Sequence, residues 1–268
     1  MFTSILVAVV VVYGALVGVM YFAQRNLMYH PSRQMTLPTE SGAPEWQAIS
    51  VATNDGLMLT SWYLGPSESG SVLVYFHGNA GNISGRSSKV QPYIDAGFGV
   101  LLVGYRGYGA NPGKPTETGL YVDAEAAIGF LADRNIGPDR WVLYGESLGT
   151  GIAVEMAALL AKKATPVGAV VLEAPFTSMG DAAAGHYPYV PARLLVRDRY
   201  DSISKINEIG TRLLIFHGDS DRVVPMALGK KLFVAADEPK SFRHFANAGH
   251  SDLYDHGAAA EVLNFLRP

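Results

Sequence analysis

The chain opens on an unbroken apolar run. Met1–Gln24 carries no charged side chain, and Ile5–Ala23 is almost wholly apolar. A helix on the surface of a soluble domain would show a polar stripe, and this one has none. Roughly 20 residues at about 1.5 Å rise each cross a hydrocarbon core of about 30 Å, so residues 1–24 read as a transmembrane anchor. A cleaved signal peptide would begin with a basic region and end in small residues. No Lys or Arg precedes this run, and Tyr21-Phe22-Ala23 is a poor cleavage context. Tyr21, Phe22 and Tyr29 suit the headgroup belt, where amphipathic rings are favoured. Gly14 and Gly18 form a small-xxx-small pair through which two anchors can approach as a homodimer. Arg25 and Arg33 follow the span, so the positive-inside rule puts the domain behind it in the cytoplasm.

Behind the anchor the pattern changes twice. Residues 25–44, with Pro31, Pro38 and Pro44, read as a linker. Glu45–Ala52 and Leu57–Leu64 are β-like runs joined by the turn signal Asn54-Asp55-Gly56, a hairpin that opens a sheet. From Ser71 onward strands and helices alternate. Strands are predicted over Ser71–Phe76, Gly99–Gly104, Arg140–Tyr144, Val167–Leu172, Arg212–His217 and Ser241–Phe245, and helices over Ser87–Ala96, Thr118–Asn135, Leu148–Lys163, Met226–Ala236 and Gly257–Leu266. Continuous apolar strands such as S-V-L-V-Y-F are expected where both faces are covered, which calls for a mostly parallel sheet with helices on both sides. Residues 174–210 break the alternation with Pro175, Pro188, Pro191 and a basic cluster at Arg193, Arg197 and Arg199. Lying between two core strands, they read as a small cap inserted in a catalytic domain of residues 45–268.

Composition narrows the chemistry. Apolar residues make up 49% of the 268, and the net charge of −3 offers no basic field for nucleic acid. There is no cysteine, which removes disulfides, thiolate metal sites and a cysteine nucleophile together. No H-E-x-x-H pair or similar cluster is present, so no metal and no cofactor are expected.

Gly145-Glu146-Ser147-Leu148-Gly149 is a G-x-S-x-G pentapeptide. In a chain with 29 glycines such a match carries little by itself. Its setting carries more: it follows the strand W-V-L-Y and opens an apolar helix, the strand–turn–helix context of a strained nucleophilic serine. The bland reading, a serine N-cap on a glycine-flanked turn, accounts for less of that setting. A serine hydroxyl needs a base to take its proton. His250, in the small-residue loop Ala246–Asp252, is the candidate, with His256 six residues on as its rival. The acid comes from His217-Gly218-Asp219-Ser220-Asp221, where Asp221 is preferred because Asp219 directly follows the strand and suits a turn. That preference also draws on the resemblance given below. The order Ser147…Asp221…His250 fits this kind of fold. His77-Gly78-Asn79-Ala80-Gly81-Asn82 leaves the strand Ser71–Phe76, where a second oxyanion donor is expected; Asn79 and Leu148 are the candidate main-chain donors. His77 reads as a loop-fixing residue, and His30, His186, His217 and His244 as structural. Tyr105-Arg106-Gly107-Tyr108-Gly109 leaves the next strand on the same edge, either lining the pocket or forming a turn.

Together H-G-N-A-G-N, Y-R-G-Y-G, Y-G-E-S-L-G-T-G, E-A-P-F-T-S and H-G-D-S-D-R-V-V-P resemble the membrane-anchored α/β-hydrolase-domain serine hydrolases, the branch that includes bacterial esterases and eukaryotic protein depalmitoylases. The resemblance spans about residues 45–268. It implies the α/β-hydrolase fold, a triad of Ser147, Asp221 and His250, oxyanion donors at Asn79 and Leu148, and a small-molecule or lipid acyl ester or thioester as substrate. Unlike the eukaryotic depalmitoylases, this chain has an apolar helix in place of an N-terminal cysteine cluster. Acyl transfer or perhydrolysis on the same triad, and a non-catalytic membrane scaffold, are the alternative functions for such a chain.

Overall fold

The computed structural model describes residues 2–34, 36–67 and 70–267. Eight strands form one sheet: β1 (Gln47–Ala52), β2 (Met58–Leu64), β3 (Val72–Phe76), β4 (Gly99–Leu102), β5 (Trp141–Glu146), β6 (Ala169–Glu173), β7 (Leu213–Gly218) and β8 (Lys240–Phe245). Their order across the sheet is β8-β7-β6-β5-β3-β4-β2-β1. The hairpin β1–β2 and the β2–β4 pair are antiparallel, and every other pair is parallel. The parallel centre follows from burial. Every residue of β3, β4, β6 and β7 is inaccessible, because helices cover both faces. Alternation along β3 divides the core: Val72, Val74 and Phe76 join the cluster on one face, Leu73 and Tyr75 the cluster on the other.

The helices in chain order are α1 (Phe2–Met28), α2 (Ser87–Asp95), α3 (Glu117–Ala132), α4 (Leu148–Lys162), α5 (Met179–His186), α6 (Ala192–Leu195), α7 (Met226–Ala235) and α8 (Ala258–Leu266). Residues of α3, α4 and α7 build the first core cluster and those of α2 and α8 the second. Thr116 starts α3 by accepting the Gly119 N–H on its hydroxyl, the usual service of a threonine at a helix start. Helices α5 and α6 stand between β6 and β7, in the segment that breaks the alternation.

α1 is long and apolar enough to cross a membrane. It runs four residues past Gln24, because its last turns dock on the segment after α6. Residues 2–16 are exposed, whereas burial sets in from Val17 onward. Arg25 donates to both carboxylate oxygens of Asp198, at 2.8 and 2.9 Å, and the Tyr29 hydroxyl reaches the same carboxylate at 3.2 Å. Asp198 is almost fully buried, so Arg25→Ala strands an anion that water can barely reach. The expected loss is about 1–3 kcal/mol, read as a lower Tm of the detergent-solubilised full chain. Gly14 and Gly18 face open space, so packing within the chain does not demand a glycine at either position.

Candidate active site

The site is assembled where the parallel strands end. β5 stops at Glu146 and α4 starts at Leu148, leaving one residue, Ser147, to reverse the chain direction. Its backbone sits at φ 51°, ψ −112°, a conformation that costs a non-glycine residue about 1–3 kcal/mol. The turn needs small neighbours. A Cβ on Gly149 would lie 1.9 Å from the Phe76 carbonyl oxygen, and one on Gly145 would lie 2.5 Å from Thr150 Cα. Both glycines of the pentapeptide therefore exist so that helix and strand can close around the serine. The Ser147 N–H donates to the Glu173 carbonyl at 2.9 Å, tying the turn to the neighbouring strand.

The structure brings the three expected side chains together. His250 Nε2 is 2.9 Å from Ser147 Oγ, and its Nδ1 is 2.7 Å from Asp221 Oδ2. The other carboxylate oxygen of Asp221 accepts the N–H groups of Val223 and Val224, both at 2.8 Å. Burial alone would raise the Asp221 carboxyl, but hydrogen bonds from His217 and His250 and from the Val224 N–H outweigh it and hold the group well below the usual carboxylate range. An ionised Asp221 must accept from Nδ1–H, which leaves Nε2 as the acceptor facing the serine.

The rival residues have other partners. Asp219 Oδ1 accepts the Asn247 N–H at 2.7 Å, so this turn residue fastens the loop that carries His250. Asp252 Oδ1 accepts the Gly249 N–H at 2.7 Å and holds the same loop from the other end. His256 Nε2 lies 3.9 Å from Asp252. His217, read from sequence as structural, is fully buried, with Nε2 2.7 Å from the Val224 carbonyl and 3.2 Å from Asp221 Oδ2. Two acceptors at one nitrogen put the proton on Nε2, so His217 is a second donor holding the Asp221 carboxylate. Its place four residues before Asp221 in H-G-D-S-D was the available signal.

The loop after β3 is held from behind. The Asn79 carbonyl accepts from the Tyr108 hydroxyl at 2.8 Å and from the His30 N–H at 2.9 Å. Tyr105 donates to the His77 carbonyl at 3.1 Å and stacks on the His77 ring, with centroids 4.1 Å apart. Tyr105 and Tyr108 thus buttress the loop. Burial first, and the Arg86 guanidinium second, push His77 down to about 3, which keeps it neutral and unsuited to act as a base near neutral pH. Leu148, the first residue of α4, has an N–H without an intrahelical acceptor, at the positive end of the helix dipole.

Beneath the turn lies a paired polar cluster. Glu146 accepts from Tyr75 at 2.6 Å and Arg86 at 2.8 Å, and Glu173 accepts from Lys89 at 2.7 Å and Tyr144 at 2.6 Å. Arg86 and Lys89 pair with the two acids, which fixes the strand ends. Above the serine a cavity of about 340 Å³ is lined by Ser147, Leu148 and Asn79, by residues of α5 and α6, and by the last turns of α1.

This geometry coincides with likeness to known proteins. Residues 71–202 match the α/β hydrolase fold family. An uncharacterized protein of Mycobacterium tuberculosis is 37% identical over 247 residues, covering 91% of this chain and 86% of that protein. The lysophosphatidylserine lipase ABHD12 of Danio rerio is 37% identical over 186 residues, covering 63% of this chain and 48% of that one. The crystal structure of an α/β hydrolase from Vibrio vulnificus superposes with a TM-score of 0.74 at 22% identity, covering 88% of each chain. The chain belongs to the α/β-hydrolase family.

Proposed function

We propose that the protein is a membrane-anchored serine hydrolase that cleaves carboxylic esters, lipid-derived ones among them, or acyl thioesters through an acyl-serine intermediate. His250 Nε2 takes the Ser147 proton as Oγ attacks the carbonyl carbon. The oxygen that gains charge accepts the N–H groups of Asn79 and Leu148, each worth about 2.7–4 kcal/mol in such a site. The imidazolium, steadied by Asp221, then protonates the leaving alcohol or thiol. Water, deprotonated by the same histidine, attacks the acyl-serine and releases the acid. α1 is the anchor in this reading, and Arg25 and Arg33 behind it favour a cytoplasmic domain.

One observation carries the proposal: a single imidazole bridges the Asp221 carboxylate and the Ser147 hydroxyl, at 2.7 and 2.9 Å, on the floor of a largely apolar cavity. The test is covalent. A fluorophosphonate probe phosphonylates an activated serine Oγ with loss of fluoride. A single adduct on Ser147, located by peptide mass spectrometry, is the expected result. No adduct, or one on a different serine, overturns the assignment.

A further inference from the structure

One face of α1 lines the cavity over Ser147: Val17, Met20, Tyr21, Gln24, Leu27 and Met28. Their spacing of three and four is that of a single helical stripe. Val19 and Phe22, on the other side, are 66% and 82% exposed.

The helix is locked in this place by polar contacts with the cap and with the oxyanion loop. Gln24 accepts the Arg197 N–H on its side-chain oxygen at 2.7 Å, and Arg25 holds Asp198. The Tyr29 hydroxyl lies 2.9 Å from that of Tyr200. Asn79 Nδ2 donates to the Met28 carbonyl at 2.8 Å, so the end of the helix is bonded to the loop that carries an oxyanion donor. His30–Pro31, just past the helix, pairs in parallel with Ala80–Gly81 of that same loop. A helix that served only as a tether would need none of these bonds.

Depth adds a second argument. Arg25 is the first charged residue after the apolar run. Counting back the roughly 20 residues that a hydrocarbon core requires puts Ile5–Gln24 inside it. Val17–Gln24, about 12 Å of helix, then lies within the leaflet while walling the cavity. The cap goes to the same depth: the Tyr13 hydroxyl donates to the Tyr189 carbonyl at 2.9 Å. Tyr189 is itself 55% exposed, and Leu194, next to the Leu195 carbonyl that Gln24 reaches at 3.4 Å, is 84% exposed.

We infer that α1 is part of the substrate site, forming with the cap a groove that takes the acyl chain of a membrane lipid ester from the leaflet, with the ester carbonyl at Ser147. This rests on the acyl-serine chemistry proposed above. The groove's apolar lining accepts the chain, and Ser147 at its wall meets the ester carbonyl.

The test uses the full chain in phosphatidylcholine vesicles, with p-nitrophenyl laurate dissolved in the bilayer and p-nitrophenyl acetate supplied from water. The readout is the laurate-to-acetate ratio of kcat/KM. Met20→Trp should lower that ratio by roughly tenfold or more, since even one methylene of fit changes discrimination on that scale. Met20→Ala should shift the same ratio by more than about twofold, and it decides the matter if the tryptophan variant fails to fold. Val19→Trp, on the outer face, should leave the ratio at the wild-type value. Ratios within about twofold of wild type in both Met20 variants, or an equal change in Val19→Trp, overturn the inference while the hydrolase reading stands. A wild-type protein that hydrolyses neither ester and takes no fluorophosphonate overturns the hydrolase reading itself.

Discussion

Ser147→Ala should lower kcat for ester hydrolysis by about a millionfold while leaving the protein folded. The size follows from the division of labour. Without Oγ there is no acyl-enzyme, and His250 is left with no proton to take from the turn. What survives is the attack of water on a carbonyl held by the Asn79 and Leu148 N–H groups, a residual catalysis of about 10³–10⁴ over solution. The fold should barely notice. The backbone bonds that hold the turn, Ser147 N–H to Glu173 and Thr150 N–H to the Ser147 carbonyl, do not involve the hydroxyl. The one side-chain bond lost, to His250, is worth about 0.5–1.5 kcal/mol. Initial rates with a p-nitrophenyl ester, beside a thermal melt of each protein, check both halves. A variant that keeps more than a hundredth of the wild-type kcat would mean that a different nucleophile does the work.

The sheet was legible because its parallel strands are buried on both faces and so read as continuous apolar runs; predicted and observed boundaries of the alternating elements differ by only a few residues. Ser147 was legible because the steric needs of the turn are written locally, as Gly145 and Gly149. The way α1 meets the domain was not. An apolar helix has the same sequence whether lipid or protein covers it, and Gln24, Arg25 and Tyr29 find their partners in the segment Leu195–Tyr200, about 170 residues away. No local pattern carries such pairings. The partners of Asp219 and His217 were hidden for a related reason. Both residues sit beside Asp221 in the chain, yet what distinguishes them is where each side chain points, one to the Asn247 N–H and the other to the acid itself. Tyr105 and Tyr108 sat on the expected sheet edge, but their hydroxyls turn to the carbonyls of the loop after β3.

Asp221→Asn should cost about 10⁴ in kcat, through the tautomer of the base rather than through any loss of contact. The amide has one oxygen and one amino group to place where two carboxylate oxygens stood. The Val223 and Val224 N–H groups, both 2.8 Å from Oδ1, demand an acceptor, so the amide oxygen must take that side. The opposite flip would set an amino group against two backbone donors. The amino group is thereby forced to the side of His250 Nδ1 and His217 Nε2, at 2.7 and 3.2 Å. His250 must accept there, which moves its proton to Nε2, the atom facing Ser147 Oγ. A base already protonated towards its nucleophile cannot deprotonate it. Fluorophosphonate labelling should slow along with hydrolysis, whereas Asp219→Asn, which keeps an oxygen for the Asn247 N–H, should slow neither by more than about tenfold. Stability carries an independent sign. Burial opposes the charge on Asp221, but its hydrogen bonds win and the folded carboxyl titrates below the unfolded one. The ion's contribution is therefore complete above the unfolded value of about 3.9 and fades as the pH falls below it. Denaturant melts of wild type and Asp221→Asn should be well separated at pH 7 and converge in acid, and a gap that widened on acidification would contradict an ionised Asp221 in the folded site.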